Sequence, residues 1–196
     1  MTLTPVLSPT ISSESDLDSV DVGESVILSA SETPNKSGQI PISGFSWDTD
    51  SDGLNDVNGV TTEQSWPEPG NYSVRLSVTS TDSRSASTTR TIAVSDISPP
   101  TVSMSPSGQI TKGFGEELSV SATFTDNWGV ESIDWLFDGS IVLSNYTITE
   151  PISTLSIQIS DDYSAGEHVA SIIVTDKSGI STRQDVTVIF IDVSAP

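Results

Sequence analysis

Two stretches of alternating apolar and polar residues, 96 positions apart, constrain the fold of this chain more than any other feature. The first stretch has its apolar or aromatic side chains at Tyr72, Val74, Leu76 and Val78. The second has His168, Ala170, Ile172 and Val174 at the equivalent positions. A period of two residues is typical of a β-strand with one buried and one solvated face. The chain therefore contains two copies of one β-rich unit.

Each copy has the same order of further signals around that strand. A Gly-Glu pair, at 23–24 and again at 115–116, precedes an alternating strand, and a tryptophan strand follows with Trp47 or Trp135. No segment of useful length has helical periodicity. About seven short strands per unit, separated by turn signals, predict an all-β chain of two tandem immunoglobulin-like β-sandwich domains.

Residues 96–100, Asp-Ile-Ser-Pro-Pro, mark the boundary between the copies. Proline cannot donate to a β-ladder, and two in succession make a short, stiff linker. We therefore predict domains at 1–97 and 98–196. The similar run at 192–196 predicts that a further unit follows in a longer parent protein, of which this chain is an excised fragment.

Composition excludes several classes of partner. The chain has 196 residues, no cysteine, one histidine and a formal net charge of -20 from 7 basic and 27 acidic residues. Such a charge repels nucleic-acid phosphates and anionic lipid headgroups, and no apolar run approaches the length of a bilayer span. We expect no nucleic-acid partner, no membrane insertion and no zinc or thiol site, whereas the surface favours cations.

The acidic stretch at residues 44–59 is the one place where residue type and spacing together indicate chemistry. Asp48, Asp50, Asp52 and Asp56 occupy positions 1, 3, 5 and 9 of a D-x-D-x-D-G-x-x-D loop. Gly53 supplies the turn at position 6, and Leu54 offers its carbonyl at position 7. Alternate carboxylates on a tight loop are ligands that Ca2+ prefers.

The loop is EF-like in its first half only. Position 12, where an EF-hand has a bidentate Glu, is Gly59, so Asp56, Glu63, water or a distant acid must complete the shell. We predict one weak calcium site with ligands Asp48, Asp50, Asp52, Leu54 and Asp56. The alternative interpretation is a solvated surface loop without an ion.

Three separated motifs in the first half resemble a PKD domain. They are residues 22–26 (VGESV), the Trp47-Asp48 pair and residues 68–74 (EPGNYSV), and the likeness covers about 22–94. The family implies an immunoglobulin-like sandwich found in bacterial and archaeal surface proteins, secreted hydrolases and some animal receptors. Some PKD domains bind calcium at a W-D-x-D-x-D-G loop, which implies this role for Asp48, Asp50 and Asp52.

The second half is similar to a bacterial Ig-like domain related to PKD. The resemblance is in residues 125–130 (TDNWGV), 138–139, 165–168 (AGEH) and 174–179 (VTDKSG). Its tryptophan strand runs through residues 134–139 without alternating acids, so we predict no calcium loop there. Asp96, Asp126, Asp176 and Asp192 lie near turns or domain ends, as ordinary turn aspartates or as ligands of an ion that links neighbouring modules.

His168 is the only imidazole and occupies the position of Tyr72 in the other copy. A corner residue that bonds back to the backbone is the predicted role, and no Ser or Cys nucleophile with a base is identifiable. We therefore predict no catalytic residue and no enzyme. Trp47 and Trp135 are predicted core residues, whereas Trp128 lies in a turn and is predicted to be exposed, as a partner-binding platform or as an isolated surface residue.

Two functions remain open. The first is a non-catalytic, calcium-stabilised spacer in the stalk of an extracellular or cell-surface protein, whose partners are calcium and the neighbouring domains of the parent chain. The alternative is a glycan- or protein-binding adhesion module attached to a secreted hydrolase or adhesin. Fold alone does not choose between them, but an exposed aromatic platform around Trp128 would favour binding.

Overall fold

The computed structural model describes residues 7–34 and 41–192. They form two compact units, divided between Asp96 and Ile97, one residue from the boundary expected from the sequence. The secondary structure is all β, and the prediction of two immunoglobulin-like sandwiches is confirmed. Within the described ranges no helix is long and apolar enough to cross a membrane. Four residues of the run at 192–196 lie outside the described residues.

The described residues of the first unit form seven strands in two sheets. They are β1 (Val20–Asp21), β2 (Val26–Ser29), β3 (Ile42–Asp48), β4 (Val57–Asn58), β5 (Thr61–Gln64), β6 (Gly70–Ser80) and β7 (Ser85–Ser95). One sheet has the order β1-β7-β6-β3-β4, and β2 pairs with β5 in the other. Inward-facing residues fill the space between them, with Leu28, Trp47, Leu76 and Ile92 fully buried.

Up to residue 192, where the described part ends, the second unit has eight strands. They are β8 (Thr101–Ser105), β9 (Ile110–Gly113), β10 (Glu117–Thr125), β11 (Val130–Phe137), β12 (Ser140–Asn145), β13 (Ile152–Gln158), β14 (Gly166–Asp176) and β15 (Ser181–Ile191). The sheets have the orders β13-β10-β8 and β12-β11-β14-β15-β9. Trp135, Ile172 and Phe190 lie at the centre of one continuous apolar core.

Strand pairing confirms the sequence repeat. Tyr72 pairs with Ile92 across β6 and β7, and His168 pairs with Val188 across β14 and β15. Both residues of the second pair lie 96 positions after those of the first. The repeat is therefore a shared strand register, not a chance likeness of composition.

The repeated Gly-Glu pair forms the same turn in both units. Gly23 and Gly115 have φ angles of +77° and +87°, which glycine adopts without the strain imposed by a Cβ. The carboxylates of Glu24 and Glu116 each accept a hydrogen bond from the backbone N–H three residues earlier. The glycine bends the chain, and the glutamate satisfies a donor that the bend exposes.

Candidate metal site

The acidic loop of the first unit joins β3 to β4. Its ends are fixed by the Trp47 backbone and ring, because the Trp47 carbonyl accepts the Asp56 N–H at 2.8 Å and the indole Nε1 donates to the Gly59 carbonyl at 2.9 Å. Trp47 is fully buried between the sheets. The core thus holds the base of the loop in place.

Asp48 organises the first turn of the loop. It is buried, at 3% exposure, although it carries a carboxylate. Its Oδ1 accepts the Ser51 N–H at 2.8 Å, and its Oδ2 accepts the Gly53 N–H at 3.2 Å. Ser51 and Gly53 both have positive φ, at 65° and 90°, so the chain curls around the carboxylate. The spacing of Asp48 and Gly53 therefore has a structural reason independent of any ion.

Three acids converge in this loop. One carboxylate oxygen from each of Asp48, Asp50 and Asp56 lies within 4.8 Å of the others. Asp50 and Asp56 are solvent-exposed, so a cation can reach the group from outside. Oxygen ligands of one Ca2+ lie about 2.3–2.6 Å from it, so two of them are separated by up to about 5 Å. The three side chains have a spacing that fits a divalent cation.

Asp52, which belongs to the ligand set predicted from the sequence, is not one of the three converging acids. Asp52 is exposed, and its Oδ1 accepts the Leu54 N–H at 2.7 Å in a local Asx turn. The Leu54 side chain is 69% exposed, and the ligand role of its carbonyl stays a prediction. Acids that alternate in the sequence need not have side chains that converge, because this loop is curled and not extended.

Arg75 lies beside the acidic loop and was not among the predicted site residues. It pairs with Asp48 across β3 and β6, and a guanidinium Nη lies 3.2 Å from Asp48 Oδ2. The same guanidinium donates to the Gly53 carbonyl at 3.0 Å. The sequence contained part of the information needed to predict this contact, since Arg75 lies on the polar face of an alternating strand. Arg75 is an internal cation that already neutralises part of the loop's charge, so a metal ion has to compete with it.

Asp56 is held ionised by Thr49. The Thr49 N–H donates to Asp56 Oδ2 at 2.7 Å and the Thr49 hydroxyl at 2.9 Å. These bonds, the backbone one first, lower the pKa of Asp56 below its ordinary value of 3.8. Asp56 is thus a carboxylate throughout the neutral range and needs no deprotonation before it binds a cation.

The corner role predicted for His168 is confirmed. Its Nε2 lies 2.8 Å from the Ser164 carbonyl, and the Tyr72 hydroxyl donates at 2.9 Å to the Glu68 carbonyl, in each case four residues earlier in the chain. The other ring nitrogen of His168, Nδ1, lies 2.6 Å from Asp138 Oδ2. Both nitrogens are engaged in holding the corner, which leaves neither as a free general base.

The prediction of an exposed Trp128 is wrong. Trp128 is half-buried, and the Lys177 ammonium lies over its ring at 5.8 Å from the centroid. The turn at 126–129 folds against the next turn of the unit, because the Lys177 N–H donates to the Gly129 carbonyl. Trp128 is packed beneath a lysine instead of forming an open aromatic platform.

Comparisons with known proteins agree with this architecture. The sequence model of the PKD domain family matches residues 7–95. No curated protein sequence matches the chain. The insect immune protein hemolin is similar in fold, with 11% identity over 97% of this chain and 48% of its own and a TM-score of 0.53.

Two further solved structures are similar at low TM-score. The fibronectin(III)-like modules of Clostridium thermocellum CbhA have 18% identity, cover 95% of this chain and 98% of their own, and give a TM-score of 0.43. The PKD1 domain of Vibrio anguillarum Epp has 20% identity, covers 48% of this chain and 99% of its own, and gives 0.38. PKD and Ig-like domains are generally non-catalytic modules. Both units are immunoglobulin-like sandwiches, and residues 7–95, in the first unit, match the sequence model of the PKD domain family.

Proposed function

We propose that this chain is a non-catalytic, calcium-stabilised structural spacer of an extracellular or cell-surface protein. The observation that supports it best is the convergence of Asp48, Asp50 and Asp56 in the loop between β3 and β4 of a PKD domain. Three carboxylates held within 4.8 Å repel one another, and a divalent cation removes that repulsion. PKD domains are typical of extracellular proteins, where calcium is abundant.

Arg75 and the missing glutamate set the strength of the site. Because Arg75 already pairs with Asp48 and position 12 is Gly59, binding is weak, with a dissociation constant of about 10⁻⁴ to 10⁻³ M as in extracellular modules. At calcium ten to one hundred times the dissociation constant, linkage adds about 1.4 to 2.7 kcal/mol to the stability of the first unit. Mg2+ substitutes poorly, since it requires a smaller octahedral shell and loses water reluctantly.

Asp50→Asn and Asp52→Asn form a matched pair that tests the site. The two aspartates are exposed, lie two residues apart and each accept one local backbone N–H through Oδ1, which the asparagine oxygen can still accept. Only Asp50 belongs to the converging group. In calorimetry with calcium and with chelator, Asp52→Asn should retain most of the calcium-dependent rise in the unfolding temperature of the first unit, whereas Asp50→Asn should lose it.

The outcomes separate the two interpretations of the loop. Equal unfolding temperatures of the first unit with calcium and with chelator, in the unmodified chain, would mean that the loop is merely solvated. If Asp52→Asn abolished the calcium response as fully as Asp50→Asn did, the metal site would require Asp52, as the sequence predicts. A ligand set of Asp48, Asp50 and Asp56 alone would then be wrong.

The spacer is favoured over glycan binding because Trp128 offers no open stacking surface. A sugar needs an exposed aromatic face, and Trp128 is half-buried under Lys177. The adhesion alternative predicts retention of the chain on insoluble polysaccharide and loss of that retention in Trp128→Ala. We expect no retention in either case, and retention that depends on Trp128 would replace the spacer with a binding function.

A further inference from the structure

The second unit has two aspartates where two of its turns meet. Asp126 directly follows β10, and Asp176 is the last residue of β14. The Lys177 N–H donates to the Gly129 carbonyl at 3.0 Å, which ties the turn after β14 to the turn after β10. One carboxylate oxygen of Asp126 and one of Asp176 lie within 4.8 Å of each other.

Asp176 is almost completely buried, at 1% exposure. Its Oδ1 accepts three hydrogen bonds, from the Ser178 N–H at 2.8 Å, the Ser178 hydroxyl at 2.7 Å and the Ile180 N–H at 2.8 Å. Its Oδ2 is equally buried and has no hydrogen-bond partner among the residues that the structure describes. The turn after β14 therefore uses one oxygen of this carboxylate and leaves the other inside the protein without a donor.

Asp126 has the same asymmetry. Its Oδ1 accepts the Trp128 N–H at 2.9 Å and the Gly129 N–H at 2.7 Å, while its Oδ2 is buried without a hydrogen-bond partner in the described part of the chain. Two independent turns thus each orient one carboxylate through Oδ1 and leave Oδ2 unpaired. Buried ionised oxygens are strongly disfavoured unless a hydrogen bond or a cation compensates them.

Within residues 7–34 and 41–192, no ion pair with a basic side chain compensates these oxygens. Among the described residues, the recorded ion pairs do not include Asp126 or Asp176. Lys177 is adjacent in sequence, but its ammonium lies over the Trp128 ring. In the first unit, by contrast, Arg75 supplies a positive charge beside the buried carboxylate of Asp48.

We propose that Asp126 and Asp176 are ligands of a second divalent cation, Ca2+, through their unpaired carboxylate oxygens. Calcium accepts carboxylates as oxygen ligands at about 2.3–2.6 Å, so two ligands of one ion are up to about 5 Å apart, which accommodates the observed spacing. Water and further oxygens complete the shell of six to eight that calcium takes. This site is independent of the loop in the first unit and does not rest on the proposed function.

Backbone amides next to the two aspartates allow a local test on the full chain. The N–H groups of Trp128, Gly129, Ser178 and Ile180 donate to the two carboxylates, so an ion on Oδ2 should shift their NMR signals. We expect these four amides to titrate together with CaCl2. They should do so unchanged in Asp50→Asn, which separates this site from the loop of the first unit.

The variants Asp126→Asn and Asp176→Asn remove charge while the asparagine oxygen can still accept the turn N–H groups. Each variant should raise the calcium dissociation constant measured from these amide signals by about tenfold or more, because the charge of the ligands changes calcium affinity over several orders of magnitude. Asp161→Asn, a change at an exposed aspartate of the same unit, should leave it unchanged. With chelator, the two Asn variants should unfold at the same temperature as the parent chain or higher, since each removes a buried charge.

The titration of the unmodified chain decides the proposal even if a variant fails to fold. Amides of Trp128, Gly129, Ser178 and Ile180 that do not move at about 10 mM calcium, ten times the weakest constant expected, would overturn it. Movement that persists in both Asn variants, or that Asp161→Asn abolishes equally, would also overturn it. If these amides did not respond to calcium while the Asp50-dependent response of the first unit persisted, the site proposed in the first unit would not be affected.

Discussion

The tryptophan strand ends differently in the two units. In the first unit β3 leads into eight residues, 49–56, before β4 begins. In the second unit β11 turns back after two, Asp138 and Gly139, whose φ angles of +47° and +79° suit a tight hairpin. Since two residues suffice to pair the edge strand, the longer acidic loop is not needed for the sandwich. The length of this loop therefore does not follow from strand pairing.

The aspartate of the short turn serves the corner of its own unit. Asp138 Oδ2 lies 2.6 Å from His168 Nδ1, and Asp138 Oδ1 accepts the Val169 N–H at 2.9 Å. The first unit closes its corner with Tyr72 alone, through one hydroxyl. The acid near the tryptophan strand is thus structural in the second unit, whereas in the first unit it is a candidate metal ligand. The position of these acids in the sequence does not distinguish the two roles.

The strongest test of the comparison is to separate the units. We propose that 1–97 and 98–196 are independent domains, because each has its own pair of sheets and its own core. Each fragment should unfold in one cooperative transition in calorimetry. A fragment without such a transition, beside an intact chain that has one, would show that the two cores depend on each other.

Truncating the core tryptophans should be nearly as damaging in one unit as in the other. Trp47 and Trp135 are fully buried, and each indole N–H is bonded, to the Gly59 carbonyl and to the Ser153 hydroxyl respectively. Trp47→Ala and Trp135→Ala should each destabilise their own unit by about 3–5 kcal/mol, measured by denaturant unfolding. A much smaller loss at Trp47 would mean that the acidic loop, and not the ring, fixes that region.

The glycines of the repeated turn should respond equally to substitution. Apart from the glycine and its two chain neighbours, no atom of the described residues lies within 4 Å of a Cβ added at Gly23 or Gly115, so the positive φ is what opposes a side chain. Gly23→Ala and Gly115→Ala should each cost about 1–2 kcal/mol in unfolding free energy. Unequal costs would show that the two turns differ in more than sequence.

The corner residues should differ in their response to pH. Burial lowers the pKa of His168, but the hydrogen bonds to Asp138 and Ser164 and the charge of Asp138 outweigh it, so the pKa lies above the ordinary 6.5. Protonated His168 therefore stabilises the second unit below pH 6.5, and this contribution is lost as pH rises through the folded-state pKa. Denaturant unfolding at several pH values around and above 6.5 measures this loss.

His168→Tyr copies the other corner and provides the control. It should change stability by less than about 1.5 kcal/mol, as size-similar swaps do, and remove the pH dependence. Persistence of the dependence in His168→Tyr would assign it to another group. A hydrolytic activity that disappeared with the substitution would contradict the non-catalytic role.

Alternation and the repeat were sufficient to predict the two sandwiches, the buried Trp47 and Trp135 and the His168 corner, because each depends on local period or on equivalence between copies. The metal ligands were harder to predict from the sequence than the fold. Asp52 and Asp50 look alike in sequence and differ only in how the curled loop turns them. The ion pair of Arg75 with Asp48 depends on strand register, and the burial of Trp128 depends on Lys177 in another turn, so neither follows from local pattern.

The parallel strand pairs give each unit a preferred direction of mechanical resistance. Near the start of the second unit β9 pairs in parallel with its last strand, β15, over four residue pairs, whereas β1 pairs with β7 over only two. Pulling the ends of a unit apart slides such strands past each other, so all the ladder hydrogen bonds are loaded at once instead of one by one. Under tension the first unit, with the shorter ladder, is therefore the one that should yield first.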